Sequence, residues 1–151
     1  MDQIDRDILC YLQENGRASN LELARAVGLS PTPTLRRVRR LERSGAIRGY
    51  RAIVDPGAVQ RSFQVLVWVD LVQGTREIIE AFEGALLEIP DVVEAQRLFG
   101  EPDYLLRVAV RDSDEYERLY TNHLAALPGV SKARSQIGMK TIRQGPTLPI
   151  R

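Results

Sequence analysis

Residues 30–50, SPTPTLRRVRRLERSGAIRGY, set the fold of the first third of this chain. Ser30 can cap a helix, and Pro31 can take its first position, where the missing N–H costs nothing. Leu35, Val38 and Leu41 recur every three residues and predict an inward-facing stripe. At about 100° per residue, Thr32, Arg36, Arg40 and Arg43 then project to the opposite side, with Arg37 and Arg39 on the flanks. Six arginines lie between Arg36 and Arg48. A major groove admits a helix of this kind, and guanidinium forks match two phosphate oxygens or the O6/N7 edge of guanine. A basic amphipathic helix can also dock on a protein or on lipid headgroups. The short inward stripe and the helices around it favour DNA.

Those helices are signalled upstream. Asp2 can cap a helix whose apolar positions are Ile4, Ile8, Tyr11 and Leu12, and Asn15-Gly16 can end it. Ser19 and Glu22 fit a capping box for a second helix, with Leu21, Ala24 and Val27 expected on its buried side and Gly28 closing it. Two short helices joined at Gly28-Leu29-Ser30, the second exposing arginines, describe a helix-turn-helix. Downstream, residues 46–56 (AIRGYRAIVDP) predict a strand through Ile47, Ile53 and Val54 that stops at the turn-forming Asp55-Pro56-Gly57. The expected division is therefore a DNA-binding unit over 1–54, a hinge over 55–61 and a second unit over 62–151.

Charge is segregated in the same way. Residues 1–51 carry ten arginines against six carboxylates, while the remaining 100 residues carry eleven cations against fourteen carboxylates. A net +1 thus hides an anion-facing module joined to a near-neutral one. With 151 residues, 44% apolar and 27% charged, the chain has room for two small folded units and is not a disordered one. No apolar run approaches the roughly 20 residues needed to cross a bilayer, and MDQIDRD is too acidic for a secretory signal, so a cytoplasmic location is expected. A single cysteine, Cys10, excludes an internal disulfide, and a single histidine, His123, leaves little for a Cys/His metal site. No Ser/His/Asp arrangement, phosphate-cradling glycine loop or zinc spacing is present, so neither catalysis nor a metal or cofactor is expected.

From Ser62 onward the sequence repeats with an offset of 38. Thr75 matches Ser113 as a helix cap. Ile78, Phe82, Leu86 and Ile89 match Tyr116, Tyr120, Leu124 and Leu127. Pro90, Val92, Ala95 and Gly100 match Pro128, Val130, Ala133 and Gly138. Strand patterning precedes each helix, over Phe63 to Val72 and Tyr104 to Val110. Two strand–helix–strand copies predict a ferredoxin-like βαββαβ unit with its helices on one face of an antiparallel sheet. The fold class is α+β. Trp68, Leu66, Leu105, Ile137 and Met139 exceed what one helical layer can cover, which predicts a dimer formed through the second sheet face.

The stretches IDRDILCYLQENGR, LSPTPTLRRVRRLERSGAIRGYRAIVDP, GEPDYLLRV and LPGVSKARS resemble the Lrp/AsnC regulators, and the resemblance spans essentially the whole chain. It implies a winged helix-turn-helix joined by a hinge strand to an effector-binding βαββαβ domain. It also implies dimers that assemble into tetramers or octamers, with an amino-acid effector bound between dimers. Carried over by position, Ser30, Thr32, Arg36, Arg37 and Arg40 face double-stranded DNA. The family pattern Gly-Asp-x-Asp-Tyr stands here as Gly100-Glu101-Pro102-Asp103-Tyr104, departing at Glu101 and Pro102. Gly100, Glu101, Asp103 and Tyr104, with Ser135 in the last strand, are the expected effector residues. Asp103 can receive an ammonium group, and backbone N–H groups near Gly100 can receive a carboxylate. The same four residues also suit a plain hairpin turn. The expected function is a sequence-specific transcriptional regulator tuned by an amino acid. A non-specific, nucleoid-organising DNA binder is the alternative.

Overall fold

The computed structural model describes residues 1–142 and 147–150. The chain divides into two compact units, Met1–Ile53 together with the end of the chain, and Val54–Ile142.

The first unit contains three helices: α1 (Gln3–Glu14), α2 (Asn20–Ala26) and α3 (Pro31–Arg43). Capping sets the starts of α1 and α2. Asp2 and Asp5 satisfy each other's backbone N–H at α1, and Ser19 and Glu22 do the same at α2. Asn15 ends α1 by donating both its backbone and side-chain N–H to the Tyr11 carbonyl rather than by a left-handed turn. Gly28, at φ +68, supplies the left-handed residue between α2 and α3. Ile8, Leu23 and Leu41 form the core, and Ile4, Leu12, Val27 and Val38 pack around them. Leu23, not the expected Leu21, fills the α2 side; Leu21 is half exposed.

Helix α3 is rotated relative to expectation. Its buried positions are Thr34 and Leu41, with Val38 between them, and Leu35 is 39% exposed. Thr34 tolerates burial because its hydroxyl donates to the Ser30 carbonyl at 2.9 Å. Residues 47–54 form no strand among the described residues; Tyr50, Ile53 and Val54 lie exposed, since within one chain this segment has no ladder partner.

The second unit places β1 (Phe63–Leu71), β2 (Val92–Arg97), β3 (Tyr104–Val110) and β4 (Val130–Ile137) in the order β2-β3-β1-β4, all neighbours antiparallel. This is the order of the predicted βαββαβ unit. Helices α4 (Arg76–Leu87) and α5 (Ser113–Leu119) cover one face. Val65, Val67 and Val69 of β1 and Leu106 and Val108 of β3 meet Phe82, Leu86, Leu119 and Leu124 there. The two halves of the repeat differ by one residue. The α5 cap is Asp112, which accepts from the Glu115 N–H, rather than Ser113. Fifteen positions separate Thr75 from Pro90 but sixteen separate Asp112 from Pro128. The additional residue widens the helix into a π turn over Tyr120–Leu124, closed by Ala125 N–H on the Tyr120 carbonyl.

The open face of the sheet is less apolar than the sequence suggests. Leu66, Trp68 and Leu105 lie there, but the pairing of Ile137 with Val65 puts Ile137 on the helical side, and Met139 lies beyond β4. Around the three apolar side chains stand Arg107 paired with Glu94 at 3.0 Å, Arg134 near Asp70 at 3.6 Å, and Gln136, which accepts from the Trp68 indole at 2.8 Å.

Candidate nucleic-acid interface and effector turn

The outer side of α3 is built from below. With Thr34, Val38 and Leu41 inward, the 3.6-residue period sends Thr32, Arg36, Arg39 and Arg43 directly outward, and all four are exposed. Ser30 occupies the cap position, yet its side chain makes no capping bond and is exposed. Pro31 and Pro33 have no N–H to offer, so Thr32 presents the free amide of this first turn. Asn20 fixes the helix entry by donating to the Pro31 carbonyl at 2.8 Å.

Arg37 and Arg40 are turned toward α1 instead. Arg37 donates to Asp2 at 2.7 Å and to Asp5 at 2.8 Å, while Arg40 donates to both oxygens of Asp5 at 2.7 and 2.6 Å. Asp5 is 1% exposed, whereas the Arg40 side chain keeps 55% of its surface. Burial pushes the Asp5 carboxyl up, but the Arg37 hydrogen bond, the Asp2 amide and the Arg40 charge together outweigh it and hold the group below its ordinary value. Asp2 is held down chiefly by its hydrogen bond from Arg37. An open cleft of about 460 Å³, lined by Asp2, Asp5, Arg40 and Ser44 among others, lies against this cluster.

In the second unit, Gly100, Glu101, Asp103 and Tyr104 stand together where β2 turns into β3. Gly100 has φ +113, a conformation that favours glycine. Asp103 braces the turn: its carboxylate accepts from the Leu71 N–H at 2.7 Å and its carbonyl from the Leu98 N–H at 2.7 Å. Tyr104 is buried against Phe82, with ring centroids 4.6 Å apart, and donates its hydroxyl to Glu83 at 2.7 Å. Burial, reinforced by that Glu83 contact, pushes its phenol up to about 12. Ser135 is not brought to this turn. It lies on β4 beside Val67, two strand spacings (roughly 10 Å) from β3, and exchanges a hydrogen bond with Tyr116.

Residues 1–48 match the family described as winged helix-turn-helix DNA-binding, and residues 64–148 match the Lrp/AsnC ligand binding domain. The chain belongs to the Lrp/AsnC family. The leucine-responsive regulatory proteins of Salmonella typhimurium and Escherichia coli K12 are each 42% identical over 151 residues, covering 100% of this chain and 92% of theirs. A Neisseria meningitidis transcriptional regulator in complex with L-methionine superposes with a TM-score of 0.94 at 35% identity, covering 99% of this chain and 96% of that one. An AsnC family regulator of Agrobacterium tumefaciens gives 0.92 at 36% identity, covering 99% and 97%. This Lrp/AsnC chain is accordingly a transcriptional regulator with a DNA-binding and a ligand-binding domain. Among the described residues no helix is long and apolar enough to cross a membrane.

Sequence patterning missed two features of this surface. Arg39 takes the outward place given to Arg40. Asp5 anchors two arginines more than thirty positions away. A signal for Asp5 was present: Asp5, Ile8 and Leu12 share one side of α1 at i, i+3 and i+7, and a carboxylate on a buried stripe calls for a cationic partner.

Proposed function

We propose that this Lrp/AsnC regulator is cytoplasmic and binds specific DNA sequences through α3, with an amino acid controlling that binding or the assembly behind it. The supporting observation is the outward row of Thr32, Arg36, Arg39 and Arg43, beside an unspent Ser30 hydroxyl, on a three-helix unit. Ser30 and Thr32 sit at a helix N-terminus and suit phosphate. Arg36 suits a base edge. Arg40 spends one guanidinium nitrogen on Asp5 and offers its remaining edge, while Arg37 backs the interface from the α1 side. Two such helices on one duplex require a homodimer, for which Leu66, Trp68 and Leu105 on the open sheet face offer an apolar centre.

For the effector, the Gly100-Glu101-Pro102-Asp103 turn suits an ammonium group on Asp103 and a carboxylate on backbone N–H groups, above the buried Tyr104. Ser135 lies farther away than one amino acid's ammonium and carboxylate can span. It therefore completes the site only when protomers of a tetramer or octamer meet, and ligand binding then favours that assembly. The relative solved with L-methionine supports an amino acid as the ligand class.

A gel shift on the upstream region of the chain's own coding sequence, with and without each of the twenty amino acids, tests the proposal. Retention on that region at salt where random DNA is released, altered by an amino acid, is the expected result. Arg36→Ala should cost about 1–3 kcal/mol on the selected site and relax one base-pair preference. Equal retention of random and upstream DNA would instead support the sequence-independent binder.

A further inference from the structure

We infer that Asp5, seconded by Asp2, is a positioning residue of the DNA interface: it withholds the Arg37 and Arg40 charges from sequence-independent phosphate contact and so protects discrimination between sequences. The inference rests on the proposal that α3 meets DNA.

The geometry carries it. Two carboxylates and two guanidiniums form one closed cluster at 2.6–2.8 Å, so its net charge is zero. The Asp5 carboxylate is held from both sides, since Oδ2 also accepts the Asp2 N–H at 3.1 Å. It cannot swing out to water without breaking the α1 capping box. Arg40 is nevertheless more than half exposed, so its guanidinium faces both Asp5 and the solvent from which DNA approaches. Arg36, Arg39 and Arg43 make no ion pair among the described residues and hold the outward row. The helix thus carries two kinds of arginine: three on the outward row, and two whose charge is already matched.

That division has a defined consequence. Sequence-independent affinity grows with the number of phosphates neutralised, and the slope of log K against log salt changes by about 0.9 for each one. A guanidinium already neutralised by a buried carboxylate releases few counterions when it meets a phosphate. Removing the carboxylate charge adds a contact available on any sequence. At 0.1 M salt each such contact is worth roughly five- to tenfold in affinity. Freed arginines also lose the fixed geometry that base-edge recognition requires.

The test uses the full-length protein, with a site selected from a randomised duplex pool and a random duplex, titrated by fluorescence anisotropy from 50 to 300 mM KCl. Asp5→Asn should bind random DNA roughly five- to tenfold more tightly at 0.1 M salt, steepen the salt slope by about one, and lower the selected-to-random ratio. Asp2→Ser keeps a capping hydroxyl but removes the charge; it should move all three quantities the same way by a smaller amount. A merely structural ion pair makes the opposite prediction, because a destabilised helix weakens binding to both duplexes in parallel. Parallel weakening or unchanged slopes in both variants overturn the inference, and if Asp5→Asn does not fold, Asp2→Ser alone decides. Arg36→Ala serves as the separate arm. Loss of selected-site binding upholds the DNA reading of α3 whatever the aspartates do, and no loss on either duplex overturns that reading and this inference with it.

Discussion

The two units of this regulator are held together by different means. The first buries three large apolar side chains, Ile8, Leu23 and Leu41, and supplements them with two capping boxes and the Asp2/Asp5–Arg37/Arg40 cluster. The second buries thirteen residues in one continuous core between a four-stranded sheet and its helices. A small unit cannot remove enough apolar surface from water to stand on packing alone, so polar ties must contribute a larger share. The unit that presents the basic helix is therefore also the one whose folding depends on charge.

The sharpest way to break this contrast is to excavate the larger core. Phe82→Ala should destabilise the second unit by about 3–5 kcal/mol while leaving the first unit's melting unchanged. Calorimetry showing both units falling together would erase the distinction. Acid is the complementary perturbation. Asp2, Asp5 and Glu22 are all held below their ordinary values, so the stability they contribute is present above about pH 4 and lost as pH falls through their folded-state values. Asp112 at the α5 cap is lowered too, but it supplements a large core. Circular dichroism between pH 6 and pH 2 should show the first unit unfolding at higher pH than the second.

A smaller effect separates caps from packing. Ser19→Ala removes one side of the α2 capping box and should cost the first unit about 1 kcal/mol, read as a lower denaturant midpoint. The smallest change is confined to alkaline pH and comes from Tyr104. Its phenol, raised by burial and then by Glu83, contributes stability that is complete below about pH 10 and disappears as pH rises toward 12. Ultraviolet titration should find one phenol ionising near pH 12, absent in Tyr104→Phe. A Tyr104 titrating near 10 would show that this part of the core is wetter than its burial indicates.

Local signals made much of the fold legible. The Ser19/Glu22 box, the left-handed Gly28 and the two Pro-x-Val turns each act over a few residues, and each does what its residue types demand. The βαββαβ pattern was legible because its apolar stripes repeat. The Gly100–Asp103 segment was legible as a turn, but the brace from Asp103 to Leu71 joins residues 32 apart in sequence. The π turn escaped notice because a single fixed offset of 38 averages over one inserted residue.

By itself, the sequence determined where most helices and strands of the two units begin, that the basic segment is a helix, and that the second half is duplicated, because caps, turns and apolar periods are near-neighbour physics. The strand expected through Ile47, Ile53 and Val54 and the Ser113 cap are the exceptions. Only the tertiary structure decided which way α3 is turned. Leu35/Val38/Leu41 and Thr34/Val38/Leu41 are both acceptable inward stripes, and composition prefers the first. The second prevails because the Thr34 hydroxyl is satisfied by the Ser30 carbonyl and because Asp5 waits on α1 for Arg37 and Arg40. The first condition is local to the helix start, but the second joins residues more than thirty positions apart and exists only once the chain has folded; it fixes which arginines of this regulator face outward.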